Sequence, residues 1–140
     1  MNAVIPDISP ATVLARFRGQ VTGGRLTRSK HIYLEVDDAN GGRWRLISWE
    51  ADYAATFPGF PGGNTVTAAD FDHGSGTLTV SFSDHTSFTL TPIPDDADDA
   101  IENWELFTPD GMVLAYGPWS TWRFGGKDDP DYWALPIARP

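Results

Sequence analysis

The sequence predicts an all-β protein, a sandwich or partly open barrel of about nine short and mostly antiparallel strands. The first observation is that apolar and polar residues alternate along most of the chain, which is the period of a half-buried strand. The second is that turn-forming residues interrupt the alternation roughly every 8–12 residues. The chain has 140 residues, so we assign residues 1–140 to a single domain.

A short helix or an extended arm is expected over residues 1–19. Ser9 can cap a helix, Pro10 suits its first position, and apolar residues follow at Val13 and Phe17. Beyond this segment the apolar period changes to two, so no long helix is expected.

Residues 20–49 are predicted to form a first three-stranded meander. A strand-like stretch at 20–27 leads to an alternating run at 32–36. The turn at 37–42 contains Asp, Asn and Gly residues, which tolerate positive φ. The strand after this turn ends at Trp49.

A second meander is predicted over residues 65–91. An alternating run at 77–82 precedes a turn at 83–85. Residues 32–38 can be aligned with residues 78–84, and Asp closes both segments. A duplicated three-strand meander is therefore one interpretation, although alternating strands also resemble one another by chance.

A third meander is predicted over residues 103–124, with a turn at 108–111 that has proline and glycine where a type I turn favours them. The remaining segments are the connections 50–64 and 92–102 and the tail 125–140. The first connection is longer than usual, which favours a functional loop or a cover over one end of the sheet. Aromatic and aliphatic residues in the tail favour its packing onto the body of the domain.

Composition and motifs favour binding over catalysis. The chain has no cysteine, and none of its glycine-rich segments has the order of a phosphate-binding loop. His31, His73 and His85 lack the spacing of a metal site. No enzyme activity, metal or cofactor is predicted, although carboxylates that converge only in the fold would leave no local spacing.

The formal charge is −9, from 10 basic and 19 acidic residues. This charge disfavours nucleic acid and anionic membrane surfaces, which are bound through Lys and Arg clusters, and it favours a basic protein partner. The first residues lack the basic region and apolar core of a signal peptide, and no run of apolar residues is long enough to be expected to cross a membrane. We therefore expect a cytoplasmic monomer or homodimer.

Three segments are candidate binding surfaces. The connection at 92–102 is rich in acidic residues but lacks the residue spacing of a calcium-binding loop. It is either a solvated turn or a docking face for a basic protein. Phe57 and Phe60 lie in a Phe-Pro-Gly repeat that suits recognition or plugs a barrel end. Trp119 and Trp122 are three apart on one predicted strand, so they face opposite sides of the sheet, and either one is exposed or the domain has two packed layers. The acidic candidates are Asp95, Asp96, Asp98, Asp99 and Glu102.

Four short motifs occur in order within residues 65–124. They are GTLTVSFSD at 76–84, NWEL at 103–106, PDG at 109–111 and GP at 117–118. In the order and spacing of these motifs the chain resembles uncharacterised small β-rich proteins of GC-rich bacteria, some of which are suspected to be immunity proteins of polymorphic toxin systems. It departs from them at His85, where such turns often have glycine. The resemblance implies a small β-rich fold and a protein partner, and it carries over no functional residue.

The sequence therefore predicts a non-enzymatic protein-binding module, of immunity or inhibitor type, that presents acidic and aromatic residues to a basic protein. The alternative is a β-barrel or sandwich that binds a small apolar molecule or a sugar among tryptophan and tyrosine side chains. Salt-sensitive association would favour the first function, and ligand-dependent tryptophan fluorescence would favour the second.

Overall fold

The computed structural model describes residues 9–27, 31–49, 51–56, 63–93, 102–117 and 122–126. Within these residues it contains one helix and ten strands, and the ten strands join a single antiparallel sheet. The elements are α1 (Pro10–Arg16), β1 (Gly19–Leu26), β2 (Ile32–Asp37), β3 (Arg43–Ser48), β4 (Ala51–Ala55), β5 (Thr65–Asp72), β6 (Thr77–Phe82), β7 (Ser87–Pro92), β8 (Trp104–Phe107), β9 (Met112–Tyr116) and β10 (Trp122–Gly126).

The strand order across the sheet is β10-β9-β8-β3-β2-β1-β5-β6-β7-β4. β10 and β4 form the two edges, so over the described residues the sheet does not close into a barrel. The predicted all-β architecture is confirmed. The expected strand number is one short because β4 lies within 50–64, which the sequence indicates as a connection. The strand reads Ala-Asp-Tyr-Ala-Ala, and its single large apolar side chain gives almost no alternation to detect.

Helix α1 forms where the sequence predicts a helix or an arm. The hydroxyl of Ser9 accepts a hydrogen bond from the backbone N–H of Thr12 at 3.1 Å, and Pro10 occupies the first turn. The fully buried Phe17 follows the helix, and its ring centroid lies 5.8 Å from that of Trp44 on β3. The helix is therefore anchored to the core.

The meanders β1-β2-β3 and β5-β6-β7 have the same register. A bulge falls between Val21 and Gly23 in β1, and another falls between Val66 and Ala68 in β5. Because each bulge lies at the same place in its hairpin, Val21 corresponds to Val66. This backbone pairing supports the interpretation of a duplicated three-strand meander.

Each meander has a fourth strand at its outer edge. β8 pairs with β3 and places Trp104 opposite Ser48, while β4 pairs with β7 and places Tyr53 opposite Leu90. We call β1-β2-β3-β8 unit 1 and β5-β6-β7-β4 unit 2. β9 and β10 continue the sheet beyond β8 and extend unit 1 alone.

The two units join where β1 pairs with β5 over two residue pairs, Gly19 with Val66 and Gln20 with Thr65. Gln20 and Thr65 occupy corresponding positions of the two units, so a pseudo-twofold axis passes between them. Gly19 has a φ of +145°, and a Cβ atom there would overlap the carbonyl oxygen of Asp37 on β2. The close approach of the end of β2 therefore requires glycine at this position of the join.

The inner faces of both units share one hydrophobic cluster. Phe71 on β5 crosses between the units, because its ring centroid lies 4.7 Å from those of Tyr116 and Trp122 and 6.5 Å from that of Trp104. These three partners belong to unit 1 and its extension, so the sheet curls until its two halves face each other. The outer faces of the units point away from this shared core.

Candidate ligand-binding groove

Six outward-facing side chains of unit 1 line a groove with a volume of about 440 Å³. They form two rows of three. In the first row, strand pairing aligns one side chain from each of β1, β2 and β3. The second row contains the next outward-facing residue of each chain segment, which lies just beyond the end of its strand. The first row is Arg25, Tyr33 and Ile47, and the second is Thr27, His31 and Trp49. We call this site the outer groove.

The floor of the outer groove is tied together by a buried hydrogen bond. The hydroxyl oxygen of Ser48 accepts from the backbone N–H of Ile32 at 2.8 Å, and both residues are 1% exposed. At the opposite side, the Thr27 N–H donates to the His31 carbonyl at 2.9 Å. Bonds across all three strands therefore hold the groove in place before any ligand arrives.

Trp49 is the most distinctive residue of the groove. Its side chain is 38% exposed, and only Ile93 among the other large apolar residues of the described part is exposed as well. The indole N–H donates to Oε1 of Glu105 on β8 at 2.7 Å, and the backbone N–H donates to the carbonyl of Asn103 at 2.9 Å. The ring is thus exposed to solvent but fixed in orientation, as a stacking surface requires.

Tyr33 and Ile47 supply the apolar centre of the groove, and both are half-buried. Burial raises the pKa of Tyr33, and the neighbouring Glu35 carboxylate raises it further. The phenol therefore stays neutral at physiological pH. The groove thus combines two aromatic rings with one branched aliphatic side chain.

Arg25 differs from the other arginines on the outer face of unit 1 because no described carboxylate compensates its charge. Arg43 lies 3.0 Å from Asp37, and Arg45 lies 3.9 Å from Glu35, so the charges of both are compensated. Arg25 is exposed and forms no ion pair with any carboxylate of the described residues. The rim of the groove therefore carries a positive charge that the described part of the protein does not neutralise.

The corresponding positions of unit 2 carry acidic and hydroxyl side chains. The same register gives Asp70, Thr79 and Thr89 in the first row and Asp72, Thr77 and Thr91 in the second. The hydroxyls of Thr77 and Thr91 lie 3.3 Å apart and bond to each other. Within 51–56 and 63–93, the described ranges of unit 2, there is no lysine or arginine.

Two of the residues proposed from sequence as binding candidates are described, and neither is a free surface group. Nη1 of Arg123 lies 3.7 Å from Oε1 of Glu102 and also donates to the carbonyl of Gly117 at 2.9 Å. Trp122 lies on the inner face, where its ring centroid is 4.7 Å from that of Tyr116. The other candidates lie outside the described residues: Asp95, Asp96, Asp98, Asp99, Phe57, Phe60 and Trp119.

The outer groove is absent from the sequence-based candidates, although one signal points to it. Seven of the ten basic residues lie before residue 50, together with only four of the 19 acidic residues. The overall charge of −9 hides this asymmetry. The described residues contain no group of three or more His, Asp or Glu side chains suited to a metal ion.

Among its described residues the groove offers a stacking surface, one guanidinium and one imidazole, which are groups that can recognise a ligand. In the part of the chain that the structure describes, no helix has the length and apolarity needed to span a membrane. Comparisons of the chain with protein-family models, with curated proteins and with solved structures found no match.

Proposed function

We propose that the protein is a non-enzymatic binding module and that the outer groove binds a small molecule with a planar, apolar part. The observation that carries this proposal is the exposed Trp49 ring, which its hydrogen bond to Glu105 holds in place. An exposed tryptophan without a ligand keeps apolar area in water, and a planar ligand that covers the ring removes that area from water.

The size of the groove supports a small molecule. Its volume of about 440 Å³ falls within the roughly 300–1,000 Å³ of small-molecule sites. The lining also suits a small molecule, because three of its six outward side chains are aromatic or aliphatic and the other three are polar groups that can fix orientation.

The test is a titration of ¹⁵N-labelled protein with 2-naphthamide, a planar and uncharged aromatic probe. The indole N–H signal of Trp49, assigned from a Trp49→Phe variant, is expected to shift together with the amides of Tyr33 and Ile47. Trp49→Ala is expected to weaken binding about tenfold or more through loss of the stacking surface. The matched control is Thr91→Ala at the corresponding position of unit 2, which should bind like the wild type.

The proposal would be contradicted if 2-naphthamide shifted signals of unit 2 alone. It would also be contradicted if the probe shifted no signal up to its solubility limit. Maltose provides a second arm, because a sugar also stacks on tryptophan. If maltose shifts Trp49 and 2-naphthamide does not, the ligand is a sugar and the planar apolar class is wrong.

A second candidate function is the binding of a basic protein, as an immunity or inhibitor protein would do. The observation that favours it is the outer face of unit 2, where Asp52, Asp70 and Asp72 are exposed and the described residues of that unit include no lysine or arginine. Acidic faces accelerate encounters with basic partners and select against acidic ones.

This second function is tested by affinity capture from the native host at low salt. A basic partner should be retained by the wild type and by Trp49→Ala, and it should be released by moderate salt. The combined variant Asp52→Asn, Asp70→Asn and Asp72→Asn should lose it. Equal capture by this variant and the wild type would exclude the acidic face as the docking surface.

A further inference from the structure

We infer that the ligand of the outer groove is an aromatic carboxylate whose negative group is bound by Arg25. This inference rests on the proposed function of the groove and adds the charge of its ligand. The observation behind it is that Arg25 lines the groove and pairs with no carboxylate of the described residues.

The position of Arg25 suits a ligand that lies across the strands. Arg25, Tyr33 and Ile47 are successive neighbours on β1, β2 and β3. Adjacent strands are about 4.8 Å apart, so the row spans roughly 10 Å. A bicyclic aromatic ring that lies on Tyr33 and Ile47 and faces Trp49 would therefore direct a substituent at its end towards the guanidinium.

The charge balance of the groove favours one carboxylate over other charged groups. A guanidinium matches a carboxylate through two parallel hydrogen bonds, and one cation balances one negative charge. A phosphate ester carries nearly two negative charges, whereas the described lining residues include one arginine and no lysine. A cationic ligand would meet the positive charge of Arg25 and be repelled.

Neighbouring carboxylates are already engaged with other groups. Glu35 lies within 4 Å of both Arg43 and Arg45, and Glu105 accepts the hydrogen bond of the Trp49 indole. Among the described residues that line the groove, Arg25 is therefore the charged group available to a ligand.

Unit 2 provides an internal control, because Asp70 occupies the position that corresponds to Arg25. Both side chains are exposed on the first row of an outer face. Removing the charge at either position should leave the fold intact, and only the change at Arg25 should alter the ligand preference.

The experiment compares 2-naphthoate with 2-naphthamide, which has the same ring and nearly the same shape without the charge. Affinities are measured from the shift of the Trp49 indole signal for wild type, Arg25→Gln and Asp70→Asn. Wild type and Asp70→Asn should bind the carboxylate at least about tenfold more tightly than the amide, as expected for a charge-assisted hydrogen bond. Arg25→Gln should bind both probes with the affinity that the wild type has for the amide.

The outcomes separate this inference from the proposed function. Equal binding of both probes by the wild type would overturn the inference that the ligand is anionic, and it would still support the groove as a binding site. A preference for 2-naphthoate that survives Arg25→Gln would overturn the role of Arg25. If neither probe shifts Trp49, the proposed function and this inference both fail.

Discussion

Units 1 and 2 have the same backbone pairing, but the side chains on their outer faces differ in charge and in residue type. Each is a three-stranded meander with a bulge in its first strand and a fourth strand at its edge. Yet Arg25 in unit 1 corresponds to Asp70 in unit 2, and Trp49 corresponds to Thr91. One unit therefore presents an aromatic groove with a cation, and the other presents hydroxyls and carboxylates.

This difference separates what the fold requires from what it leaves free. The inward positions of both units are apolar because they form one shared core. The outward positions have no such constraint, so their chemistry can differ without disturbing the pairing. The core thus preserves the likeness of the units, and the outer faces give each unit its own surface chemistry.

The largest expected effect concerns the join between the units. Gly19→Ala would place a Cβ atom against the Asp37 carbonyl oxygen at a φ of +145°, and we expect it to lower the free energy of unfolding by roughly 3–5 kcal/mol. Gly63→Ala is the control, because its φ is +81° but nothing lies within 4 Å of the added atom. Its cost should be about 1–2 kcal/mol. Urea denaturation followed by circular dichroism would measure both, and equal losses would mean that the join tolerates a side chain.

The next effect concerns the contact across the two halves. Phe71→Ala removes a ring that packs against Tyr116 and Trp122, and we expect a loss of about 3 kcal/mol. The corresponding residue of unit 1 is Leu26, which packs at the edge of the same cluster, and Leu26→Ala should cost about 1 kcal/mol. Thermal unfolding of both variants would test this order. A larger loss for Leu26→Ala would contradict the role of Phe71 as the link between the units.

A smaller effect of opposite sign is expected in a hairpin turn. His85 has a φ of +70°, and it is the one non-glycine residue with positive φ in the described part of the chain. His85→Gly should stabilise the protein by about 0.5–1 kcal/mol, since relief of strain exceeds the added freedom of the unfolded chain. The turn of unit 1 has Gly41 at a φ of +78°, so Gly41→Ala should lower the stability by about 1 kcal/mol. A destabilised His85→Gly protein would indicate that the imidazole makes a contact worth more than the strain.

The smallest effect appears at low pH. The Trp44 indole hydrogen bond, followed by the bond from the Gly42 N–H, holds the pKa of Asp38 below its usual range. A pKa lowered by folding contributes stability that is complete above the unfolded value of about 3.9 and is lost as the pH falls through the folded value. The free energy of unfolding should therefore fall as the pH drops below about 4.

Asp38→Asn should make this acid dependence less steep. Asp52→Asn is the control, because the side chain of Asp52 is exposed on β4 and makes no hydrogen bond or ion pair within the described residues. Its variant should follow the wild-type pH curve. Urea denaturation at several pH values between about 2 and 7 would compare the three proteins, and parallel curves for all three would contradict the contribution of Asp38.

The sequence was sufficient to predict the fold class because burial imposes a period of two on each strand. Leu34 on β2 and Val80 on β6 are fully buried, and each stands within an alternating run. The same rule misses β4, where small residues remove the contrast between the faces. It also cannot give the partner of a strand, and the pairing of β3 with β8 joins segments far apart in the chain.

The candidate site was harder to predict because outward positions follow no period. Tyr33 and Ile47 become neighbours of Arg25 only through the register of three strands. Trp122 was a surface candidate from its spacing, yet its pairing with Tyr116 places it on the inner face. A charge count over parts of the chain would have pointed to the basic first third, but not to a groove.

The origin of the fourth strand in each unit has a consequence for how the chain is made. Unit 2 takes β4 from the chain just before its meander, so all its strands have been synthesised once Pro92 has left the ribosome. Unit 1 takes β8 from the chain after unit 2, and the edge of β3 stays open until that later segment arrives. Glu105, which orients Trp49, also comes with β8. The residues that line the groove are thus made before β8, and a nascent chain can complete the groove only after β8 has been synthesised.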